Sequence, residues 1–235
     1  MVDLRGHGES DGRMEGGGGN IEEAARDVKE AIEVQTKGEG VEFVVGHSLG
    51  GKIGLKLAEI YGREKGIGPR EYFILDSIPG RVDRGKATGS EDSVRDVINA
   101  VDEVGMPIVD KKSMMEDLEE RGITKGVAMW MTTNLRKRKE GDGFEFTFDV
   151  PTARSLFDSF GDTDMFPYLR SIDGGDGVRV HIVKAGRNQA WGDVEDDMGR
   201  VGEGVVVHEL EKAGHWVHVD DLEGVVRIVS ENVRG

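Results

Sequence analysis

The sequence contains no cysteine and no long apolar run, and these absences exclude several kinds of bond, functional site and membrane segment. Without cysteine there are no disulfides, no thiol nucleophile and no cysteine-based metal site. No apolar run approaches the roughly 18 residues that a membrane-spanning helix needs. Basic residues are also scarce, because 31 lysines and arginines face 46 acidic residues, for a formal net charge of −15. A nucleic-acid partner is not expected, since affinity for a nucleic-acid backbone comes mainly from lysine and arginine.

The chain instead has short apolar runs that alternate with helical patterns over 235 residues, enough for one sizeable α/β domain. Buried strands are predicted at residues 41–46, 71–76 (EYFILD), 179–185 (RVHIVKA) and 205–210 (VVVHEL). Helices are predicted at residues 21–34, 49–61 and 220–233. Short apolar strands that alternate with helices predict a parallel sheet covered on both faces.

Residues 90–172 interrupt this alternation with a charged and largely helical stretch. Helices are predicted there at residues 91–104, 113–121, 125–139 and 151–160, with a turn at 141–143. The predicted organisation is a core formed by residues 1–89 and 173–235, with residues 90–172 as a helical cap inserted into it. The four glycines at residues 16–19 are interpreted as a flexible loop. A phosphate loop is disfavoured because no Gly-Lys-Ser/Thr follows.

A serine between glycines stands where the strand at 41–46 passes into the helix at 49–61. The sequence Gly46-His47-Ser48-Leu49-Gly50 fits G-x-S-x-G in its expected strand-to-helix context. Such a turn exposes a nucleophile above the sheet, and we expect Gly46 and Gly50 to allow the close approach of strand and helix. The N–H of Leu49 is the expected oxyanion donor. The alternative is an ordinary glycine-rich turn with a capping serine.

A serine hydroxyl needs a base to take its proton, and the chain offers six histidines. His215 follows the last predicted strand by a short loop, where the base belongs in the order serine, acid, histidine. His47 is expected to point elsewhere on its tight turn, and His181 and His208 to lie within strands. His218 is interpreted as structural, with lining of a pocket as the second reading.

The acid has two candidates. Asp76 stands at the carboxyl end of the EYFILD strand, and ligand-facing residues of parallel sheets lie at such ends. After the RVHIVKA strand no carboxylate comes before Asp193, although Asn188 could orient an imidazole there. An asparagine cannot stabilise the charged imidazolium. Asp76 is favoured over Asp193, and a structural carboxylate remains the alternative for Asp76.

The motifs "VDLRGHGES", "VGHSLGG", "ILDSIPG" and "KAGHWVHVD" resemble successive motifs of the α/β-hydrolase-fold serine esterases. The likeness is to a capped branch with bacterial short-chain and acyl-CoA esterases and mitochondrial, plant and algal relatives. Segments "MWMTTNL", "FEFTFDV" and "DTDMFPYL" are similar to its cap. The resemblance implies Ser48 as nucleophile, His215 as base and, because that branch takes its acid after the sixth strand, Asp76 as acid.

The chain also departs from this family. Members usually have a longer N-terminal part that carries three further strands and the His-Gly loop with a second oxyanion donor. The resemblance therefore implies an N-terminally truncated fold, in which residues 2–4 lack a ladder partner and one edge of the strand at 41–46 is exposed.

The function expected from these features is hydrolysis of a small-molecule carboxylic ester or thioester through an acyl-enzyme, with no cofactor and no metal. Cap residues Trp130, Phe157 and Phe166 are candidates to shape the acyl pocket, and packing of the cap core is the plainer reading. The rivals are a catalytically impaired or non-catalytic ligand-binding relative, and an acyltransferase, lactonase or peptidase. Ser48 disfavours a dehalogenase, whose nucleophile is a carboxylate. Since residues 1–10 show no signal-peptide pattern, the expected compartment is the cytoplasm or an organelle matrix.

Overall fold

The computed structural model describes residues 1–10, 19–64, 68–82, 94–175 and 177–233. It divides into two compact units. The hairpin unit consists of Met1–Gly19 and Arg84–Asp158, and the sheet unit consists of Asn20–Asp83 and Ser159–Gly235. Three predictions fall partly outside the described residues: glycines 16–18 of the glycine loop, the start of the cap at residue 90, and residues 91–93 of the first cap helix.

The structure contains six strands and ten α-helices within its described residues. The strands are β1 (Phe43–His47), β2 (Glu71–Leu75), β3 (Leu135–Lys137), β4 (Phe144–Phe146), β5 (Arg179–Ala185) and β6 (Val205–Leu210). The helices are α1 (Ile21–Gln35), α2 (Leu49–Glu64), α3 (Val94–Asp102), α4 (Lys111–Glu120), α5 (Lys125–Met131), α6 (Val150–Asp162), α7 (Phe166–Ser171), α8 (Glu195–Met198), α9 (Val217–Asp220) and α10 (Leu222–Asn232).

The sheet unit is built on four parallel strands in the order β1-β2-β5-β6. All five residues of β2 are buried, because this strand lies inside the sheet and is covered on both faces. One face packs against α10, and the core there includes Phe73, Val183, Leu210, Val225 and Ile228. The parallel α/β sheet predicted from the alternating pattern is confirmed.

The strand β1 lies at the sheet edge and has a different burial pattern. Its Phe43 is 38% exposed and its Val45 is 45% exposed. Residues 2–4 form no strand, and Val2 is exposed. Both features agree with the expected exposed edge and the expected lack of a ladder partner for residues 2–4. The RGHG segment is instead bound to residues 147–149, through Gly8 N–H to Thr147 O at 2.6 Å and Asp149 N–H to Gly6 O at 2.7 Å.

The hairpin unit corrects the prediction of one long helix at residues 125–139. The helix α5 ends at Met131, and Leu135–Lys137 forms an antiparallel pair with Phe144–Phe146. Thr132 and Thr133 donate their hydroxyls to the carbonyls of Met129 and Trp130, at 2.8 and 2.7 Å. Hydroxyls that bond to the preceding turn compete with regular helix, and the pairing of β3 with β4 then decides the local structure. The predicted turn at 141–143 joins these two strands, with Gly141 and Gly143 at positive φ.

Among the described helices, none combines the length and the apolar character required to cross a membrane.

Candidate active site

Ser48 lies on a strained turn between β1 and α2. Its φ is +51°, in the left-handed region that non-glycine residues rarely adopt. Its N–H donates to the carbonyl of Leu75 on the neighbouring strand at 3.0 Å, and its own carbonyl accepts from Gly51 N–H at 3.0 Å. The surrounding hydrogen bonds therefore hold the serine in a conformation that the residue alone would avoid.

Gly46 allows β1 to approach the start of α2, Gly51 allows α2 to approach Ser77 beyond β2, and the expectation for Gly50 was wrong. A Cβ on Gly46 would stand 2.3 Å from the carbonyl oxygen of Gly50, and a Cβ on Gly51 would stand 2.6 Å from Cβ of Ser77. A Cβ on Gly50 would meet nothing within 4 Å. Gly50 fits the sequence motif, but at its position in α2 a side chain would point into open space.

His215 reaches Ser48 from the loop between β6 and α9. Its Nε2 is 3.1 Å from Oγ of Ser48, and its Nδ1 is 2.7 Å from Oδ2 of Asp76. Its side chain is 13% exposed, whereas that of Asp76 is fully buried. The three residues predicted from the motifs are thus brought together within the sheet unit, and the two distances lie in the range of ordinary hydrogen bonds.

Asp76 is held by four donors. Its Oδ2 accepts from Nδ1 of His215 and from Nδ2 of Asn188 at 2.8 Å, and its Oδ1 accepts from Ala185 N–H at 3.0 Å and Nε1 of Trp191 at 2.6 Å. Burial by itself would raise the pKa of Asp76, but the bonds from His215, Trp191, Ala185 and Asn188 lower it below its ordinary value. The carboxyl group is therefore ionised at neutral pH.

The ionised carboxylate fixes the tautomer of His215. Because a carboxylate only accepts hydrogen bonds, Nδ1 of His215 carries the proton and donates it to Asp76. Nε2 is then left with its lone pair and accepts from the hydroxyl of Ser48. This arrangement can remove a proton from the serine.

Asn188 has a role that the sequence did not indicate, and Asp193 is not the residue beside His215. Asn188 bonds to the carboxylate of Asp76 and caps the following 3₁₀ turn, rather than orienting an imidazole. Asp193 lies within that 3₁₀ segment, Gln189–Val194, and Asp76 occupies the position beside His215. Trp191 was missed altogether, because its indole N–H reaches Asp76 across 115 positions of sequence.

His47 was expected to point away, and it contacts the loop that carries the base instead. Its Nε2 is 2.7 Å from the carbonyl oxygen of His215. Its ring centroid is 4.7 Å from that of His215, 5.3 Å from Trp216 and 4.9 Å from His218. His218 is itself exposed and packs edge-on against His47.

A sequence model described as "Alpha/beta hydrolase family" matches residues 1–228 of this chain. The chain belongs to the alpha/beta hydrolase family. The family resemblance and the fold class inferred from the motifs are therefore confirmed. Among curated proteins no match is found.

Solved structures show the same fold for this alpha/beta hydrolase. A marine microorganism esterase has a TM-score of 0.73 at 18% identity, over 98% of this chain and 82% of that chain. An E-2-(acetamidomethylene)succinate hydrolase has a TM-score of 0.62 at 19% identity, over 98% and 79%. The thioesterase domain from the curacin biosynthetic pathway has a TM-score of 0.60 at 15% identity, over 97% and 79%. At these identities the likeness concerns the fold.

A buried lysine connects α2 to the carbonyls of segments near Gly80 and Phe160 in this alpha/beta hydrolase. Lys52 is fully buried, and its Nζ donates to the carbonyls of Gly80, Phe160 and Thr163 at 2.7, 2.8 and 3.2 Å. Burial lowers the pKa of Lys52 to about 7, while the charge of Asp164 acts in the opposite direction. The three carbonyls favour the ammonium form, because only that form has three N–H groups. Lys52 was not singled out from the sequence, since a lysine in an amphipathic helix normally faces water.

The three candidate pocket residues differ in burial. Trp130 on α5 is 48% exposed, Phe157 on α6 is half-buried, and Phe166 at the start of α7 is 3% exposed against Gly80. Their role in an acyl pocket stays a prediction, as does the placement of residues 90–172 over the strand ends. Within the described part of the chain, no three His, Asp or Glu side chains are grouped as a metal site would need.

Proposed function

We propose that this alpha/beta hydrolase is a serine hydrolase that cleaves a carboxylic ester or thioester through an acyl-enzyme. The observation that carries the proposal is the continuous chain from Asp76 through His215 to Ser48, at 2.7 and 3.1 Å, ending on a serine at φ +51°. A hydroxyl bonded to a basic imidazole, which is oriented by a buried carboxylate, is the arrangement that activates a serine.

In the first half of the reaction, Oγ of Ser48 attacks the acyl carbon while Nε2 of His215 takes the hydroxyl proton. The imidazolium that forms is stabilised by the carboxylate of Asp76, which stays ionised. The tetrahedral intermediate then collapses, the bond to the leaving alcohol or thiol breaks, and His215 returns the proton to that group. The acyl group remains esterified to Ser48.

In the second half, a water attacks the acyl-enzyme and gives its proton to His215. The acid is released as the proton passes back to Oγ of Ser48. In both halves the oxyanion needs donors, and Leu49 supplies one. Leu49 is the first residue of α2, and the first N–H groups of a helix have no acceptor within it.

The organisation proposed with this function is the one expected from the sequence. Residues 1–89 and 173–235 are the proposed catalytic core and residues 90–172 the proposed helical cap, in which packing of the cap core stays the plainer reading for Trp130, Phe157 and Phe166. The esterase and the thioesterase domain among the solved structures make both ester and thioester substrates worth testing.

The test combines covalent labelling with turnover. The protein is treated with a fluorophosphonate probe and the modified peptide is identified by mass spectrometry, and p-nitrophenyl esters and acyl thioesters of increasing chain length are assayed. We expect labelling on Ser48, and loss of both labelling and hydrolysis in Ser48→Ala. The matched control is Ser171→Ala, since Ser171 is an exposed serine whose hydroxyl donates to the carbonyl of Tyr168 three positions earlier. A folded protein that is not labelled at Ser48 and hydrolyses none of these substrates would overturn the proposal in favour of a non-catalytic relative.

A further inference from the structure

The loop that carries His215 is bound to the strand that carries Ser48 by a side chain outside the three-residue chain. His47 is the last residue of β1 and the residue before Ser48. Its Nε2 lies 2.7 Å from the carbonyl oxygen of His215, 168 positions away. Because a carbonyl oxygen only accepts, Nε2 of His47 carries the proton and donates it.

This bond acts on a different part of His215 from the bond to Asp76. Asp76 holds the ring at Nδ1, and His47 holds the main chain of the same residue. Rotation of the ring and displacement of the backbone are thus restrained separately. A ring fixed at one nitrogen still moves away from Ser48 if its backbone moves, and a shift of about 1 Å at a reacting group costs on the order of 100-fold in rate.

The surroundings of His47 keep it neutral. Burial lowers the pKa of His47 to about 4; the bond to the carbonyl of His215 and the charge of Asp76 raise it, and the charges of His215 and His218 lower it further. The other ring packed against it, Trp216, carries no charge. A neutral donor can hold the loop without placing a second positive charge beside the imidazolium that the reaction forms on His215.

We propose that His47 is a positioning residue, whose hydrogen bond to the carbonyl of His215 keeps the base within reach of Ser48. The inference rests on the proposed function for its kinetic consequence, but the hydrogen bond itself concerns the geometry of His215. Since His47 and Ser48 are consecutive, any movement at the end of β1 carries the nucleophile and the anchor of the base together.

Two variants separate the hydrogen bond from the packing of the ring. His47→Phe keeps an aromatic ring but removes the donor, and we expect kcat to fall about 10- to 100-fold with KM unchanged. His47→Gln places an amide N–H near the position of Nε2, and we expect it to restore most of the lost kcat. The control is His208→Phe, which removes another half-buried, hydrogen-bonded imidazole from the sheet unit and should leave kcat unchanged.

A second measurement does not depend on turnover. The proton on Nδ1 of His215, bonded to a carboxylate, should give a downfield-shifted proton NMR signal. We expect this signal to persist in His47→Gln and to broaden or disappear in His47→Phe. If His47→Phe does not fold, His47→Asn replaces it, because the shorter amide cannot reach the carbonyl and should lose both kcat and the signal.

The outcomes distinguish the two proposals. A wild-type protein that is unlabelled at Ser48 and inactive, yet shows the signal and its loss in His47→Phe, would remove the proposed function and leave the positioning role in place. If His47→Phe keeps the signal and, in an active protein, the full kcat, the positioning role is wrong. The positioning role is also wrong if His47→Gln loses as much kcat and as much of the NMR signal as His47→Phe.

Discussion

Two carboxylate–histidine chains lie in the sheet unit, and they begin at opposite ends of β2. Asp76 directly follows β2 and leads through His215 to Ser48. Glu71 is the first residue of β2; its Oε2 is 2.9 Å from Nε2 of His181, and Nδ1 of His181 is 3.0 Å from Nε2 of His208. Both chains start from a buried carboxylate and pass through an imidazole with similar bond lengths.

The two chains differ in the backbone that carries them. Glu71, His181 and His208 lie within β2, β5 and β6, where ladder hydrogen bonds fix each residue. Ser48 and Asp76 lie just beyond strands or in turns at positive φ, and His215 lies in a loop. Only Ser48, Asp76 and His215 can place a nucleophile above the carboxyl ends of the strands, where a substrate can approach.

The comparison shows that a buried carboxylate–imidazole pair is not by itself a catalytic device. The Glu71 chain ends on a second imidazole, and Phe73 stacks on His181 with ring centroids 4.6 Å apart. None of its three described members, Glu71, His181 and His208, carries a hydroxyl or lies on a strained turn. A hydrogen-bonded network of this kind inside a sheet rigidifies it, whereas the Asp76 chain ends on a serine held at a helix start.

The largest expected effect compares the two central histidines. His215→Gln should lower kcat/KM by about 10⁶-fold, as loss of the base does in a studied serine protease, because nothing then takes the proton of Ser48. His181→Gln should leave kcat/KM of the folded protein unchanged and lower the free energy of unfolding by about 1–3 kcal/mol, since Nε2 of His208 loses its partner, Nδ1 of His181. Ester hydrolysis and urea unfolding measure the two. Equal losses of activity would show that the chains act as one network.

The next effect compares the two carboxylates. Asp76→Asn should lower kcat/KM by about 10⁴-fold, because an amide in that place favours the wrong tautomer of the base. Glu71→Gln should leave kcat/KM unchanged, since the amide oxygen can still accept from Nε2 of His181. Steady-state kinetics gives kcat/KM for both variants and tests this difference. Retention of activity in Asp76→Asn would return Asp193 to consideration as the acid.

A smaller effect concerns the hydrogen bonds that the carboxylate of Asp76 accepts. Trp191→Phe removes one of the two donors to Oδ1, and a hydrogen bond to a charged group is worth about 1.5–3 kcal/mol. The free energy of unfolding at pH 7 should fall by that amount. Because these bonds lower the pKa of Asp76, their stabilisation is present at neutral pH and is lost as pH falls through that pKa. The difference between variant and wild type should therefore shrink on acidification, and a constant difference would mean that only packing was lost.

The smallest expected effect is the pH dependence that the chain of Glu71, His181 and His208 gives to the free energy of unfolding. Burial, and then the charge of His181, lower the pKa of His208. The unfolded chain then binds more protons below pH ~6.5, so the free energy of unfolding should decrease as pH falls below that value. His208→Gln should reduce this slope, measured by thermal unfolding between neutral and mildly acid pH. His47 contributes a slope of the same sign, so His208→Gln should keep part of the total slope. An unchanged slope in His208→Gln would contradict the prediction.

Local patterns predicted much of the fold, and their failures have physical causes. The strand from Glu71 and the helix from Leu49 were predicted because apolar periodicity reports burial directly. The helix expected at 125–139 ends at Met131, since pairing with Phe144–Phe146 is a non-local contact that periodicity does not report. Gly50 matched the motif, yet a Cβ there would meet nothing, whereas one on Gly51 would clash with Ser77, because motif spacing does not give the direction of a Cβ.

The sequence by itself determined the parallel α/β sheet, the strand-to-helix turn at Ser48, and the candidates that converge there: His215 as base and Asp76 as the favoured acid over Asp193. It did so because strand ends, turns and their residue types are local properties. Only the tertiary structure decided that Trp191 and Asn188 hold Asp76, that His47 binds the backbone of His215, and that Lys52 is buried under three carbonyls. Each of these contacts joins segments distant in the chain, and the direction of a side chain across a packed sheet is set by the positions of its neighbours.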